Sequence, residues 1–354
     1  MHRYSTLLLL AAFLLSTSSS AKADVITGAG PGAGSTVKTF SGATGAELDD
    51  FLAYPPAFLG GVRVAVGDVN GDGIADVLTG PGPAAGAPPQ VQVFDGSSSS
   101  LLMSFFPYGP SFNGGVFVAA GDVNGDLSDD IVTGADAGGA PHVKVFNGQS
   151  GVEVRSFNAY PPSFAGGVRV AAGDVNGDGL ADLVTGAGVG SSHVKVFDGA
   201  TNAELRSFFA YGGGFTGGVY VASGDVDGDG YADIVTGADA GGAPHVKVFS
   251  GQSGSELLSF MAFTPSFTGG VRVAAGDVDG DGLVDIVTGA GGGAGGHVKV
   301  FSGQTGAELQ SYLAYNAAFT GGVYVAASTL PIPEPGSVAL AMAGVAGLLL
   351  RRRG

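Results

Sequence analysis

The chain has 354 residues, with 66 glycines, no cysteine, no tryptophan and only 13% charged residues. Without cysteine it has neither disulfides nor thiolate metal sites, so nothing in the fold depends on redox state. Thirty-one acidic residues stand against 15 basic ones; removing the five basic residues of the terminal segments leaves 10 against 31, a net −21, over residues 24–336, and such a field repels nucleic acid and anionic lipid.

The N-terminus begins Met1-His2-Arg3, continues through an apolar stretch from Leu7 to Leu15, and passes a Ser/Thr segment to Ala21-Lys22-Ala23. A basic start, a short apolar core and an Ala-x-Ala site predict a secretory signal peptide over residues 1–23, cut by signal peptidase after Ala23. Nine apolar residues are too few to span a bilayer.

From residue 24 to 328 the chain repeats itself. A Val-Lys-Val-Phe-like segment ends at Phe40, Phe94, Phe146, Phe197, Phe249 and Phe301, and a Gly-Gly pair recurs in step at Gly60, Gly114, Gly166, Gly217, Gly269 and Gly321. Two landmarks that keep one period of about 52 residues make six repeats. Within one repeat, Gly167–Ala172 alternates large and small residues as a half-buried strand does, and Asp182–Gly186 reads as a second strand. His193–Phe197 alternates strictly, and Glu204–Tyr211 supplies a fourth strand. Nothing in the body keeps helical spacing. Four short strands per unit and six units predict an all-β, six-bladed β-propeller of four-stranded blades rather than a β-solenoid. Asp24-Val-Ile-Thr-Gly matches the second strand of a repeat, and Gly321–Ala327 matches a first strand. The N- and C-terminal strands are thus expected to complete one sheet and close the ring without an open edge.

Between first and second strands lies an acidic loop, as in Asp68-Val-Asn70-Gly-Asp72-Gly73-Ile74-Ala-Asp76. Oxygen donors fall at positions 1, 3, 5 and 9, with a backbone carbonyl at 7. The five loops offer Asp68, Asn70, Asp72, Ile74 and Asp76; then Asp122, Asn124, Asp126, Ser128 and Asp130; then Asp174, Asn176, Asp178, Leu180 and Asp182. The last two offer Asp225, Asp227, Asp229, Tyr231 and Asp233, and Asp277, Asp279, Asp281, Leu283 and Asp285. Alternate spacing points every second side chain inward, and glycine at position 6 permits the tight turn. A hard cation with six to eight oxygen ligands, Ca²⁺, suits this set better than Mg²⁺, and the absence of Cys and His from each loop argues against zinc or copper. Position 12, where an EF-hand carries its bidentate Glu, is Thr in all five loops, which leaves that work to the acid at position 9. Leu127 replaces the position-6 glycine of one loop, so the site at Asp122 is expected to bind most weakly. Eighteen of the 31 acids lie in these loops, and five Ca²⁺ ions would bring −21 to −11.

Phe164-x-Gly-Gly-Val-Arg-Val-Ala-Ala-Gly-Asp-Val-Asn-Gly-Asp-Gly-x-x-Asp182 and its five relatives, the last cut short after the strand, resemble FG-GAP (VCBS-type, integrin-α-like) repeats. The resemblance covers nearly all of residues 24–327. It implies that the Gly-Gly strand is the innermost of each blade and that calcium sits in the following hairpin loop. Integrin-type propellers of this family have seven blades, against six repeats here.

Residues 329–336 form a Pro-rich linker holding Pro333, Glu334 and Pro335, and residues 337–354 hold the apolar run Val338–Leu350 and then Arg351-Arg352-Arg353. This tripartite end resembles the PEP-CTERM sorting signal. It implies a Gram-negative bacterium, transient anchoring in the membrane through the C-terminal helix, processing by an exosortase, and delivery to the cell surface or medium, often beside exopolysaccharide.

Two further repeating sets bear on function. His142, His193, His245 and His297 share one repeat position with Gln90 and Thr36, which reads as structural, because a group placed once per blade diverges from its copies. Tyr54, Tyr108, Tyr160, Tyr211, Phe263 and Tyr315 either pack between blades or form a sugar-stacking rim. No catalytic set stands out, so the expected function is a non-enzymatic binding or scaffold protein for a polysaccharide or a surface protein. An exported glycan hydrolase or lyase, and a purely structural envelope or biofilm protein, are the alternatives.

Overall fold

Strictly alternating segments such as His193-Val-Lys-Val-Phe197 bury their valines and turn His and Lys outward, the signature of a strand with one face on a core. In the computed structural model, which describes residues 22–86 and 88–328, 24 such strands (β1–β24 in chain order) form six antiparallel four-stranded sheets. Blade 4 is typical: β12 (Val168–Gly173), β13 (Asp182–Ala187), β14 (His193–Phe197) and β15 (Glu204–Phe209) lie side by side in that order. The sheets are arranged around an axis lined by β4 (Val62–Gly67), β8 (Val116–Gly121), β12, β16 (Val219–Gly224), β20 (Val271–Gly276) and β24 (Val323–Ala327). The expected six-bladed propeller is what the chain forms.

Closure also follows the sequence. β24 pairs with β1 (Val25–Ala29), with Val25 opposite Ala327 and Ala29 opposite Val323, so blade 1 is built from both ends of the repeat region. Ala23, at the predicted cleavage site, is buried, and its N–H donates to the Asp277 carbonyl at 2.7 Å. The equivalent N–H groups of Asp129, Ala181, Ala232 and Val284 make the same bond to the preceding blade. The predicted cleavage after Ala23 would therefore remove a residue whose counterparts tie neighbouring blades together.

Blade-to-blade contact is close enough to require glycine. A Cβ on Gly186, in the Thr-Gly of β13, would stand 2.4 Å from the carbonyl oxygen of Val219 in the next blade, and the same approach recurs at Gly134 and Gly237. The core lies between sheets, where Val170, Leu183 and Phe197 of blade 4 join Val132, Val143 and Tyr160 of blade 3 in one cluster.

Two details differ from the sequence reading. The inner strand is buried along nearly its whole length instead of on one face: even Arg169 is only 6% exposed, because inner strands pack against both neighbours and the axis. The fourth strand ends at Phe209, and Tyr211 turns away into the next blade, where its hydroxyl donates to the His245 carbonyl at 2.7 Å. Tyr54, Tyr108, Tyr160 and Tyr315 bond the next blade in the same way. These rings are inter-blade pins and present no stacking rim.

Candidate functional site

The five acidic loops follow the inner strands, so all of them lie at one end of the barrel of strands. Positions 4 and 6 of each loop take the left-handed backbone: φ is 77° at Gly71 and 84° at Gly73, with matching values in the other loops. Leu127 adopts that conformation too, at φ 69°, with its side chain 88% exposed. A branched side chain there costs roughly 1 kcal/mol relative to glycine.

The position-1 carboxylate organises the turn. Asp68 Oδ1 accepts from the N–H groups of Gly71 and Asp72, and Oδ2 accepts from Gly73. Asp122, Asp174 and Asp225 repeat this arrangement. Asp72 Oδ1, at position 5, accepts from Ile74 N–H at 2.9 Å. At position 9, Asp76 is fully buried and accepts from Val69, Asn70 and, across the sheet, Gly96. Position-7 side chains reach the preceding loop: Leu180 lies over Gly125, Tyr231 over Gly177 and Leu283 over Gly228.

Carboxylates converge where the sequence places them. Asp225, Asp227 and Asp229 bring three oxygens within 4.8 Å of one another, and so do Asp277, Asp279 and Asp285. The other three loops carry Asn at position 3, and its amide nitrogen faces the acids: Asn70 Nδ2 donates to Asp72, Asn124 Nδ2 to Asp130, and Asn176 Nδ2 to both Asp178 and Asp182. Burial pushes the position-9 acids Asp76, Asp130, Asp182, Asp233 and Asp285 up to about 6, against the pull of the backbone N–H groups they accept from. Buried, mutually repelling carboxylates with hard oxygen donors and no nitrogen or sulfur ligand are the environment a divalent cation stabilises. The residues fit calcium.

Some contributors escaped the sequence reading. Asp129 Oδ2 accepts from Asp68 N–H at 2.9 Å and joins two neighbouring loops; burial, with the nearby charges of Asp68 and Asp122, pushes this carboxyl up to about 6. Asn147 donates to Asp126 and Asp130, and Asp198 accepts from Asn176, so the turn after the third strand also borders the loops. The repeating histidines are occupied within their blades: Nε2 of His142, His193, His245 and His297 each meets a serine Oγ of the fourth strand at 2.7–2.8 Å. Gln90 makes the same contact with Ser104.

The sorting residues Pro333, Glu334 and Pro335, the predicted signal peptide up to residue 21 and the apolar tail fall outside the described residues. Among the described residues no helix is long and apolar enough to cross a membrane.

Comparison with known proteins agrees with this geometry. The FG-GAP repeat model matches residues 60–89 and 166–204, and the FG-GAP-like repeat model matches residues 225–288. The PEP-CTERM protein-sorting motif matches residues 331–353, which implies export and exosortase-dependent sorting at a bacterial cell surface. Integrin alpha-5 of Xenopus laevis is 29% identical over 225 residues, covering 55% of this chain, and integrin alpha-V of Gallus gallus is 27% identical over 224 residues, covering 54%. The matches span only 20% and 22% of those curated relatives. An Agrocybe aegerita lectin structure, titled for recognition of non-reducing terminal N-acetylglucosamine, aligns over 88% of this chain and 96% of its own. Its TM-score of 0.47 at 17% identity is too low to carry an argument. With six blades, converging loop acids and both sequence matches in place, the chain is an FG-GAP-repeat β-propeller bearing a C-terminal PEP-CTERM sorting motif.

Proposed function

We propose that this protein is an exported, calcium-binding propeller that serves as a non-enzymatic binding or scaffold module at the cell surface or in the surrounding matrix. One observation carries the reading: five equivalent loops gather their acids at one end of the barrel, and two of them bring three carboxylate oxygens within 4.8 Å. Asp68, Asp72 and Asp76 with Asn70, and their counterparts, would hold each ion, with the carbonyls of Ile74, Ser128, Leu180, Tyr231 and Leu283 as further donors. The ion supplies positive charge that relieves the repulsion among buried acids and fixes the loops against one another.

The similarity to integrin α chains supports a binding role. Occupation of all four repeat histidines by serine hydroxyls favours a structural use of that position over catalysis. In this reading residues 1–23 are removed by signal peptidase, residues 24–328 are the working body, 329–336 are a linker, and 337–354 anchor the chain in a Gram-negative envelope until exosortase acts. A polysaccharide or a surface protein is the expected partner. Isothermal titration of the purified, chelated body with CaCl₂ should show up to five sites, and glycan-array binding with a product assay on each hit should show capture without turnover. No heat of binding would refute the metal role, and a released product would refute the non-enzymatic one.

A further inference from the structure

The ten basic residues between 24 and 328 have distinct places. Lys38, Lys144, Lys195, Lys247 and Lys299 pair with glutamates of the neighbouring strand. Arg155 and Arg206 donate to backbone carbonyls of the following blade. The remaining three, Arg63, Arg169 and Arg272, occupy the second position of inner strands in blades 2, 4 and 6. Aromatic residues take that position in the alternate blades: Phe117, Tyr220 and Tyr324. Each guanidinium lies over the next ring, at 4.2 Å for Arg63 on Phe117, 4.3 Å for Arg169 on Tyr220 and 3.8 Å for Arg272 on Tyr324. The result is an alternating ring around the axis, at the end opposite the acidic loops.

Two of the three arginines have a carboxylate partner. Arg63 Nη2 donates to Asp136 and Nη1 to the Pro81 carbonyl; Arg169 Nη2 donates to Asp239 and Nη1 to the Ala187 carbonyl. Each aspartate belongs to the following blade, just after its second strand. For Arg272 the following blade is blade 1, and the equivalent residue is Gly30: its N–H donates to Gly322 O as that of Asp136 donates to Gly115 O. A Cβ on Gly30 would stand 2.0 Å from the Gly321 carbonyl oxygen, so the backbone as it lies in blade 1 leaves no room for a side chain there.

Arg272, 8% exposed, thus lacks the carboxylate that Nη2 of Arg63 and Arg169 meets; its Nε is orphaned as theirs is, and its Nη1, unlike theirs, finds no carbonyl acceptor. Tyr220 is its polar neighbour, shared with Arg169. A buried guanidinium lacking a counter-charge is costly, and an arriving carboxylate offers paired acceptors matched to its fork. The ring holds three guanidiniums against two carboxylates, one positive charge in excess on a body of strongly negative net charge. Burial pushes the Tyr324 hydroxyl up, yet Arg272, Arg63 and Arg169 together outweigh it and hold that hydroxyl below the ordinary tyrosine range. The site reaches solvent, since Tyr220, Tyr324, Asp136 and Asp239 are all only partly buried.

We propose that the axial mouth beside Gly30 binds one small carboxylate on Arg272, in the place where Asp136 and Asp239 serve the other two arginines. The ligand class is a carboxylate-bearing molecule, either a free acid or the acid group of a uronic sugar. The site is independent of calcium in the loops, which lie at the opposite end. Binding of ¹³C-acetate and of D-glucuronate to the full mature protein, followed by NMR line broadening, should show one saturable site, with D-glucose as the neutral control. R272Q should weaken binding by at least about tenfold while its melting temperature stays near wild type. D239G frees Arg169 in the same way that Gly30 leaves Arg272 free, and should raise the stoichiometry from one to two. Saturation by acetate alone identifies a free acid as the fitting ligand, and tighter binding of glucuronate identifies the sugar acid. The absence of a saturable site, unchanged binding in R272Q, or equal displacement by chloride would overturn the proposal.

Discussion

Chelating the metal should cost this protein a large part of its stability. In the chelated state the acids of each loop repel one another, and the position-9 aspartates stay buried with only uncharged N–H donors as partners. A site filled at ten times its dissociation constant contributes about 1.4 kcal/mol, so four intact loops supply about 5.6 kcal/mol and the Leu127 loop brings the sum to about 7 kcal/mol. That is comparable with the net stability of an ordinary domain, about 5–15 kcal/mol. At about 2 °C per kcal/mol for a domain of this size, melting should fall by roughly 15 °C when EGTA replaces calcium. Differential scanning calorimetry at fixed protein concentration reads this directly, and titrating calcium back should restore the melt in proportion to occupancy. A melt unmoved by EGTA, with calorimetry showing no bound calcium, would refute the idea that these loops are metal-stabilised.

Further outcomes follow from the same geometry. L127G should relieve the left-handed strain at the Asp122 loop, raise stability by about 1 kcal/mol and tighten the weakest calcium site, as urea melts and calcium titration would show. Y211F removes the hydroxyl that joins Tyr211 to His245 O and should cost about 1–2 kcal/mol in urea melts. The reverse change, F263Y, should gain up to about 1 kcal/mol, because Phe263 stands at the repeat position from which Tyr211 reaches the backbone carbonyl of the next blade. In EGTA, the acids pushed up to about 6 hold protons in the folded state that the unfolded chain releases, so melting should rise as pH falls from 7 towards 4. In saturating calcium the trend should reverse, since protons then compete with the ion.

The blade count, the strand order, the closing sheet and the five loops were legible in the sequence because each is written as a short-range pattern. Period-two alternation marks His193–Phe197, fixed spacing marks Asp174 to Asp182, and matching half-repeats mark Asp24 and Gly321 as two sides of one blade. Arg169 could be seen but not placed: its strand reads as half-buried, and only the approach of six inner strands to a common axis buries a guanidinium there. The ring is hidden for a further reason. Its members alternate between blades, so it repeats every second unit, and its pairing joins Arg63 to an aspartate 73 residues away in the next blade. Asp129 escaped notice because it stands one residue from a loop ligand and acts on the neighbouring loop. Local spacing says nothing about which blade a side chain will face.

Antiparallel pairing of Val25 with Ala327 sets the two ends of the body side by side where the inner strands finish. Residues 25 and 327 therefore lie at the same pole, the one with the acidic hairpins. If the proposed tail anchor holds a copy at the envelope through a short tether, that pole would be the one nearer the membrane and the arginine-lined mouth the one farther from it. Release of such a tether would leave both poles of the body unaltered.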